Sequence, residues 1–146
     1  MRCSAIGVRT ADDPFRVARV RGELQHAIFR QELYKAAALG ELLGSNGGAA
    51  RERARSLRER GDVVGVPVGN VYAFPAFQVD VAHGRIFPIV AEINHLLGAR
   101  DDPWGVAAWW FAREARLAAA PADLVADAAR ADDLRLAAKL DLAPVY

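Results

Sequence analysis

The sequence predicts a mainly α chain interrupted by one short β-hairpin. Apolar residues recur at three- and four-residue steps over most of its length, and glycine and proline clusters cut these runs into helix-sized pieces. One stretch, Gly61 to Gln78, turns instead to β-branched residues around a Gly-Asn pair. With 146 residues, 53% hydrophobic and 25% charged, the chain can bury a core as one domain or two small ones. No apolar run approaches the roughly 20 residues of a membrane span, and the N-terminus lacks the apolar centre of a secretory signal, so a soluble, cytoplasmic protein is expected. The single cysteine, Cys3, excludes an intramolecular disulfide and leaves the fold to packing.

Residues 1–14 lack periodicity and end in Asp-Asp-Pro, as a flexible arm would. From Phe15 to Gln31 the positions Val17, Val20, Leu24, Ala27 and Ile28 mark an amphipathic helix, a candidate dimer element. Leu33, Ala36, Ala37, Leu39, Leu42 and Leu43 predict a second helix from Glu32 to Leu43, closed by Gly44 and the turn Ser45-Asn46-Gly47-Gly48. A third helix runs from Ala49 to Arg60. Ala50, Ala54 and Leu57 form its narrow apolar stripe, and Arg51, Arg55 and Arg58 repeat the same spacing one position around. Val63, Val64, Val66 and Val68, then Gly69-Asn70, then Val71, Tyr72 and Phe74 read as two strands of a hairpin, kept short or at an edge by Pro67 and Pro75.

Beyond Gln78 the pattern predicts helices only. Pro88 opens one that ends at Gly98, and Asp101-Asp102-Pro103 starts another containing Trp104, Trp109, Trp110 and Phe111. Two more are expected, Pro121 to Ala129 and Ala131 to Leu140. Trp109 and Trp110 lie about 100° apart on a helix and so face different directions; core packing and partner anchoring both fit them. The final stretch carries Leu134, Leu136, Ala137, Leu140 and Leu142, an apolar face able to dock on its own domain or on a partner.

Charge divides the chain. Residues 1–60 carry 12 Lys/Arg against 7 Asp/Glu, and residues 61–146 carry 7 against 11. A basic half attracts phosphates, and Arg51, Arg53, Arg55, Arg58 and Arg60 on one helix, with Asn70 at the hairpin turn, are the candidate DNA contacts. The competing reading is a solvated face held by Glu52–Arg55 and Arg55–Glu59 pairs, each contributing a few tenths of a kcal/mol. The order helix, tight turn, arginine helix, hairpin over residues 32–75 resembles winged helix-turn-helix DNA binders of the MerR and excisionase kind. Catalytic patterns are absent: His26, His83 and His95 are scattered, no Walker or HExxH run occurs, and Glu92-Ile-Asn-His95 lacks the second copy that a di-iron bundle needs. A binding protein without catalytic residues, metal or cofactor is expected.

A second resemblance covers residues 72–140. The ordered series Tyr72-Ala-Phe-Pro75-Ala-Phe-Gln78-Val-Asp80, Gly84-Arg-Ile-Phe-Pro88, Asp102-Pro103-Trp104, Trp109, Leu117, Pro121 and Leu124 resembles the toxin-binding domain of Xre/MbcA/ParS-type antitoxins. The resemblance implies a RES-domain, NAD-degrading toxin as partner, encoded by a neighbouring gene, and operator DNA as the other. It implies toxin contacts from Trp110, Phe111, Leu117, Arg135, Lys139, Leu142 and Tyr146. The chain departs from that family in carrying a winged variant in place of an Xre-like module, and Ala112-Arg113-Glu114 where a Pro-Asn pair is usual. The expected organisation is an arm (1–14), a helix plus winged helix-turn-helix DNA-binding domain with a short β-hairpin wing (15–75) and a small helical toxin-binding domain (76–146), assembled as a homodimer or a higher hetero-oligomer. The alternative is a stand-alone regulator whose helical half dimerises or senses a ligand.

Overall fold

The computed structural model describes residues 25–142. The expected arm, most of the Phe15–Gln31 helix and Tyr146 lie outside them; of that helix, residues 25–29 are helical. From Gln31 to Leu142 the described residues form one compact unit, mainly helical with a small three-stranded antiparallel sheet.

Its first element corrects the sequence reading. Leu33–Lys35 is a strand (β1), and the helix predicted from Glu32 begins four residues later, as α1 over Ala36–Leu42. The reason is the hairpin far along the chain. Strands β2 (Val66–Val68) and β3 (Val71–Pro75) pair antiparallel across Gly69-Asn70, and β3 offers its other edge to β1, with Tyr34 opposite Phe74. The ladder continues as the Ala76 N–H donates to the Glu32 carbonyl at 2.9 Å. Extended backbone here gains partners that a first helical turn leaves unsatisfied. The sheet order is β1-β3-β2, Gly69 has the positive φ of 60° that a two-residue turn requires, and Pro67 sits on the edge strand.

Helix α2 spans Gly47–Arg60 and ends at Gly61, whose φ is 81°. The Gly61 N–H reaches the Arg58 carbonyl at 3.0 Å and the Asp62 N–H the Leu57 carbonyl at 2.9 Å, the paired bonds of a Schellman ending. Gly40 lets α1 and α2 cross with backbones in contact at Ala50. Leu39, Leu43, Ala54, Leu57, Val63, Phe74 and Val79 make the core cluster beneath them.

After a 3₁₀ turn at Ala76–Gln78 comes a second correction. Where only helices were expected, β4 (Val79–Asp80) and β5 (Arg85–Ile86) form a miniature hairpin around the turn Val81–His83 and Gly84. Two-residue strands are too short to show alternation in a sequence. Helix α3 (Pro88–Leu97) ends at left-handed Gly98, and α4 (Pro103–Phe111) starts as expected, with the Asp102 carboxylate accepting the Gly105 N–H at 3.1 Å. The helix predicted over Pro121 to Ala129 is instead two 3₁₀ turns, Pro121–Leu124 and Ala128–Arg130. The Asp127 side chain accepts the Ala129 N–H, the local competition by which aspartate restarts a backbone instead of continuing a helix. Helix α5 (Ala131–Leu142) buries Leu134, Ala137 and Ala138 and packs on α3. No helix among the described residues is long and apolar enough to cross a membrane.

Candidate nucleic-acid interface

Helix α2 presents its arginines on two faces. Ala50, Ala54 and Leu57 are buried against the core, which forces the intervening positions outward. Arg51, Arg55 and Arg58 turn toward the β2–β3 hairpin and, with Lys35 from the end of β1, form the cationic wall of a groove of about 610 Å³. The opposite wall and floor are apolar, from Ala36 and Ala37 of α1 and Val71, Tyr72 and Phe74 of β3. Arg53 and Arg60 point to the other side, lining a shallower depression with Ser56.

Each arginine is held differently. The Arg58 guanidinium lies over the Tyr72 ring, 3.7 Å from its centroid, a cation–π contact that fixes its height above the hairpin. Arg55 donates to Glu52 at 2.6 Å and lies 3.8 Å from Glu59, the two pairs its spacing predicts. The hydrogen bond to Glu52, then the charges of Glu52 and Glu59, raise the pKa of Arg55 and keep it cationic. Arg60 is tied to Asp62 at 3.0 Å. Arg51 and Arg53 are exposed. Asn70 stands at the exposed hairpin tip, and from Val66 to Pro75 the hairpin carries no lysine or arginine. Lys35 and the Arg58–Tyr72 contact escaped sequence reasoning, because both require β3 to be brought beside β1 and α2.

The residues that the antitoxin resemblance picks out are scattered by the fold. Trp110 is fully buried and Leu117 is buried, so both serve the interior. Phe111 is half-buried and meets Phe77 edge to face. Arg135 is engaged by Glu92 at 2.6 Å and Asp132 at 2.7 Å. Lys139 and Leu142 are exposed on α5, beside Leu136 and Leu140, which are 56% and 37% exposed. No protein-family model, no curated protein and no solved structure matches this chain. Any function therefore rests on its own residues.

Behind the hairpin lies a buried amide chain with no local signature in the sequence. The Gln78 amide donates to the Val64 carbonyl at 3.0 Å and the Pro75 carbonyl at 3.1 Å, while its oxygen accepts the Val64 N–H at 2.7 Å. Asn94 donates to that same oxygen at 3.1 Å and to the Asp62 carbonyl at 3.0 Å, and its own oxygen accepts the Trp110 indole N–H at 2.8 Å. Residues following α2, the end of β3, α3 and α4 are thereby fixed to one another. Glu92 and His95, the acid and imidazole of the ExxH spacing, go separate ways, to Arg135 and to Asp62. Among the described residues, no three His, Cys, Asp or Glu side chains converge on a point where a metal could sit.

The β4–β5 hairpin holds a separate ionic cluster. Asp80 accepts from His83 Nδ1 at 2.8 Å and Arg85 Nε at 3.2 Å. Burial pushes its carboxyl up, but the hydrogen bonds and charges of Arg85 and His83 together outweigh burial and hold it below the ordinary carboxylate range. A carboxyl with a depressed folded-state pKa stabilises above its unfolded pKa, and that contribution disappears as pH falls through the folded value. Acid titration of stability should accordingly show a loss below about pH 4 that is smaller in Asp80→Asn. Parallel urea curves at pH 7 and pH 3 measure it; an identical pH dependence in the variant would deny Asp80 this role.

Proposed function

We propose that this chain is a DNA-binding antitoxin: residues 15–75 act as a winged helix-turn-helix that binds the operator and represses the operon, and residues 76–146 bind and neutralise a RES-domain, NAD-degrading toxin. The observation that carries the DNA half is the alignment of Arg51, Arg55 and Arg58 with Lys35 on one open face, flanked by a hairpin, in the chain order strand, helix, turn, helix, hairpin. An exposed helix bearing arginines at i, i+4 and i+7 has the shape and charge to enter a major groove, where arginine pairs with guanine edges or with phosphates. The toxin half is supported by the ordered series from Tyr72 to Leu124 and by the exposed apolar and basic face of α5, with Leu136, Lys139, Leu140 and Leu142.

A second reading, a stand-alone regulator, is favoured by the burial of Trp110 and Leu117, which assigns two of the expected toxin contacts to the core. Co-purification with the neighbouring gene product, followed by an NAD-depletion assay of that product with and without this chain, separates the two. Complex formation with suppressed NAD loss supports the antitoxin, and no complex supports the regulator. The DNA half is tested by Arg55→Ala with Arg58→Ala. Affinity for operator DNA should fall by roughly 10- to 100-fold and the salt dependence of log K should flatten by about 2, one for each phosphate contact removed, while the toxin complex is retained. Equal loss of both activities would contradict this division.

A further inference from the structure

The groove between α2 and the hairpin has a property that DNA binding leaves unexplained. Phosphates are contacted by cations, polar side chains and N–H donors, yet one flank here is Val71, Tyr72 and Phe74, and the hairpin that bears them has no lysine or arginine. Val71 is 60% exposed, an apolar side chain left facing open solvent beside three arginines. A groove of about 610 Å³ with an apolar floor and a few convergent charged groups falls within the range of small-molecule sites, roughly 300–1,000 Å³.

We infer that this groove binds an amphipathic organic anion, a single carboxylate on an apolar body. Charge complementarity fixes one end. Arg51 offers a planar fork that matches a carboxylate, Arg55, whose Nε–Nη2 edge is held by Glu52, adds charge and its remaining N–H groups, and the Arg58 guanidinium is kept over Tyr72 at the groove wall. The opposite wall fixes the other end, because Ala36, Ala37, Val71 and Phe74 present no hydrogen-bonding side chain and the Tyr72 hydroxyl is the one polar group among them. A body that buries apolar surface is what this wall rewards. Since the same arginines are those offered to the operator, the anion and DNA exclude each other, a consequence that rests on the DNA-binding reading.

The probe is 2-naphthoate, titrated calorimetrically into the full chain without DNA, with 2-naphthylmethanol as the neutral comparison. One saturable site per chain is expected, with Kd of about 1 mM or tighter, and binding of the alcohol weaker by about tenfold or more. Amide shifts in an NMR titration should centre on residues 35–37, 51–58 and 71–74. Val71→Asp sets a carboxylate against the ligand at an exposed position. Arg51→Gln with Arg55→Gln removes the open fork and two of the groove's charges. Each should weaken binding about tenfold while the thermal midpoint stays within about 3 °C of the parent. Absence of saturation, equal affinity for the alcohol, or shifts centred elsewhere would overturn the site. Displacement of a fluorescent operator duplex by saturating naphthoate tests the exclusion. A chain that takes up naphthoate and no duplex would refute the DNA reading and leave the anion site standing.

Discussion

Gly40→Ala should cost about 3 kcal/mol of stability, the upper range for forcing extra volume into a packed interior. A Cβ built on Gly40 falls inside contact distance of the Ala50 carbonyl and 2.5 Å from its Cα. These are backbone atoms of α2, which cannot swing aside as a side chain end can, so the two helices must separate along their whole contact. That contact carries Leu39 and Leu43 on one side and Ala54 and Leu57 on the other, all in the core cluster. A loss of this size lowers the midpoint of thermal unfolding by about 10–20 °C in a unit of this length.

Gly48→Ala is the matched control. It lies in the first turn of α2, has nothing within 4 Å of an added Cβ, and does not need a positive φ. There the methyl reduces the freedom of the unfolded chain and should stabilise by about 0.5 kcal/mol. Urea denaturation of both variants decides the matter. A Gly40→Ala protein within about 1 kcal/mol of the parent would mean that the crossing has slack and that α2 is not seated on α1 by backbone contact.

The contrast between these glycines shows what the sequence could and could not say. Gly40 stands inside the apolar pattern of Glu32 to Leu43, and nothing local marks it as the crossing point; its partner Ala50 is on the next helix. Features encoded in a few neighbouring residues were legible. The Gly69-Asn70 turn, the Asp102-Pro103 helix start, and the outward display of Arg51, Arg55 and Arg58 opposite Ala50, Ala54 and Leu57 stand as the spacing predicts. Features made by partners distant in sequence were not. Leu33 to Lys35 has an apolar spacing that a helix would also satisfy, and only the free edge of β3 turns it into a strand. Half of the candidate groove was missing for the same reason: Lys35 joins the arginines because β1 pairs with β3. Trp110 was open between core and surface, since periodicity fixes a relative direction on a helix and not which direction is inward. What settles it is Asn94, sixteen residues earlier, waiting with an acceptor.

Asn94→Ala should be comparably damaging, at about 3–4 kcal/mol, although it removes a small polar side chain. Asn94, Gln78 and Trp110 are all fully buried. Deleting the amide strands the Trp110 indole N–H and withdraws donors from the buried Gln78 oxygen and the part-buried Asp62 carbonyl. Each stranded group bears a desolvation penalty of about 1–3 kcal/mol, partly relieved where Gln78 keeps its bonds to Val64 and Pro75. The size of the effect alone would not distinguish a hydrogen-bond network from lost packing. A double-mutant cycle with Trp110→Phe does. In the phenylalanine background no indole N–H is left to strand, so Asn94→Ala should cost about 1–2 kcal/mol less than in the parent. Strict additivity would mean that the Trp110–Asn94 bond contributes nothing beyond the volume of its side chains. A positive coupling would identify the amide chain as the connection holding α3 and α4 to the segment that follows α2, and hence as part of what keeps the arginine helix and its hairpin in fixed register.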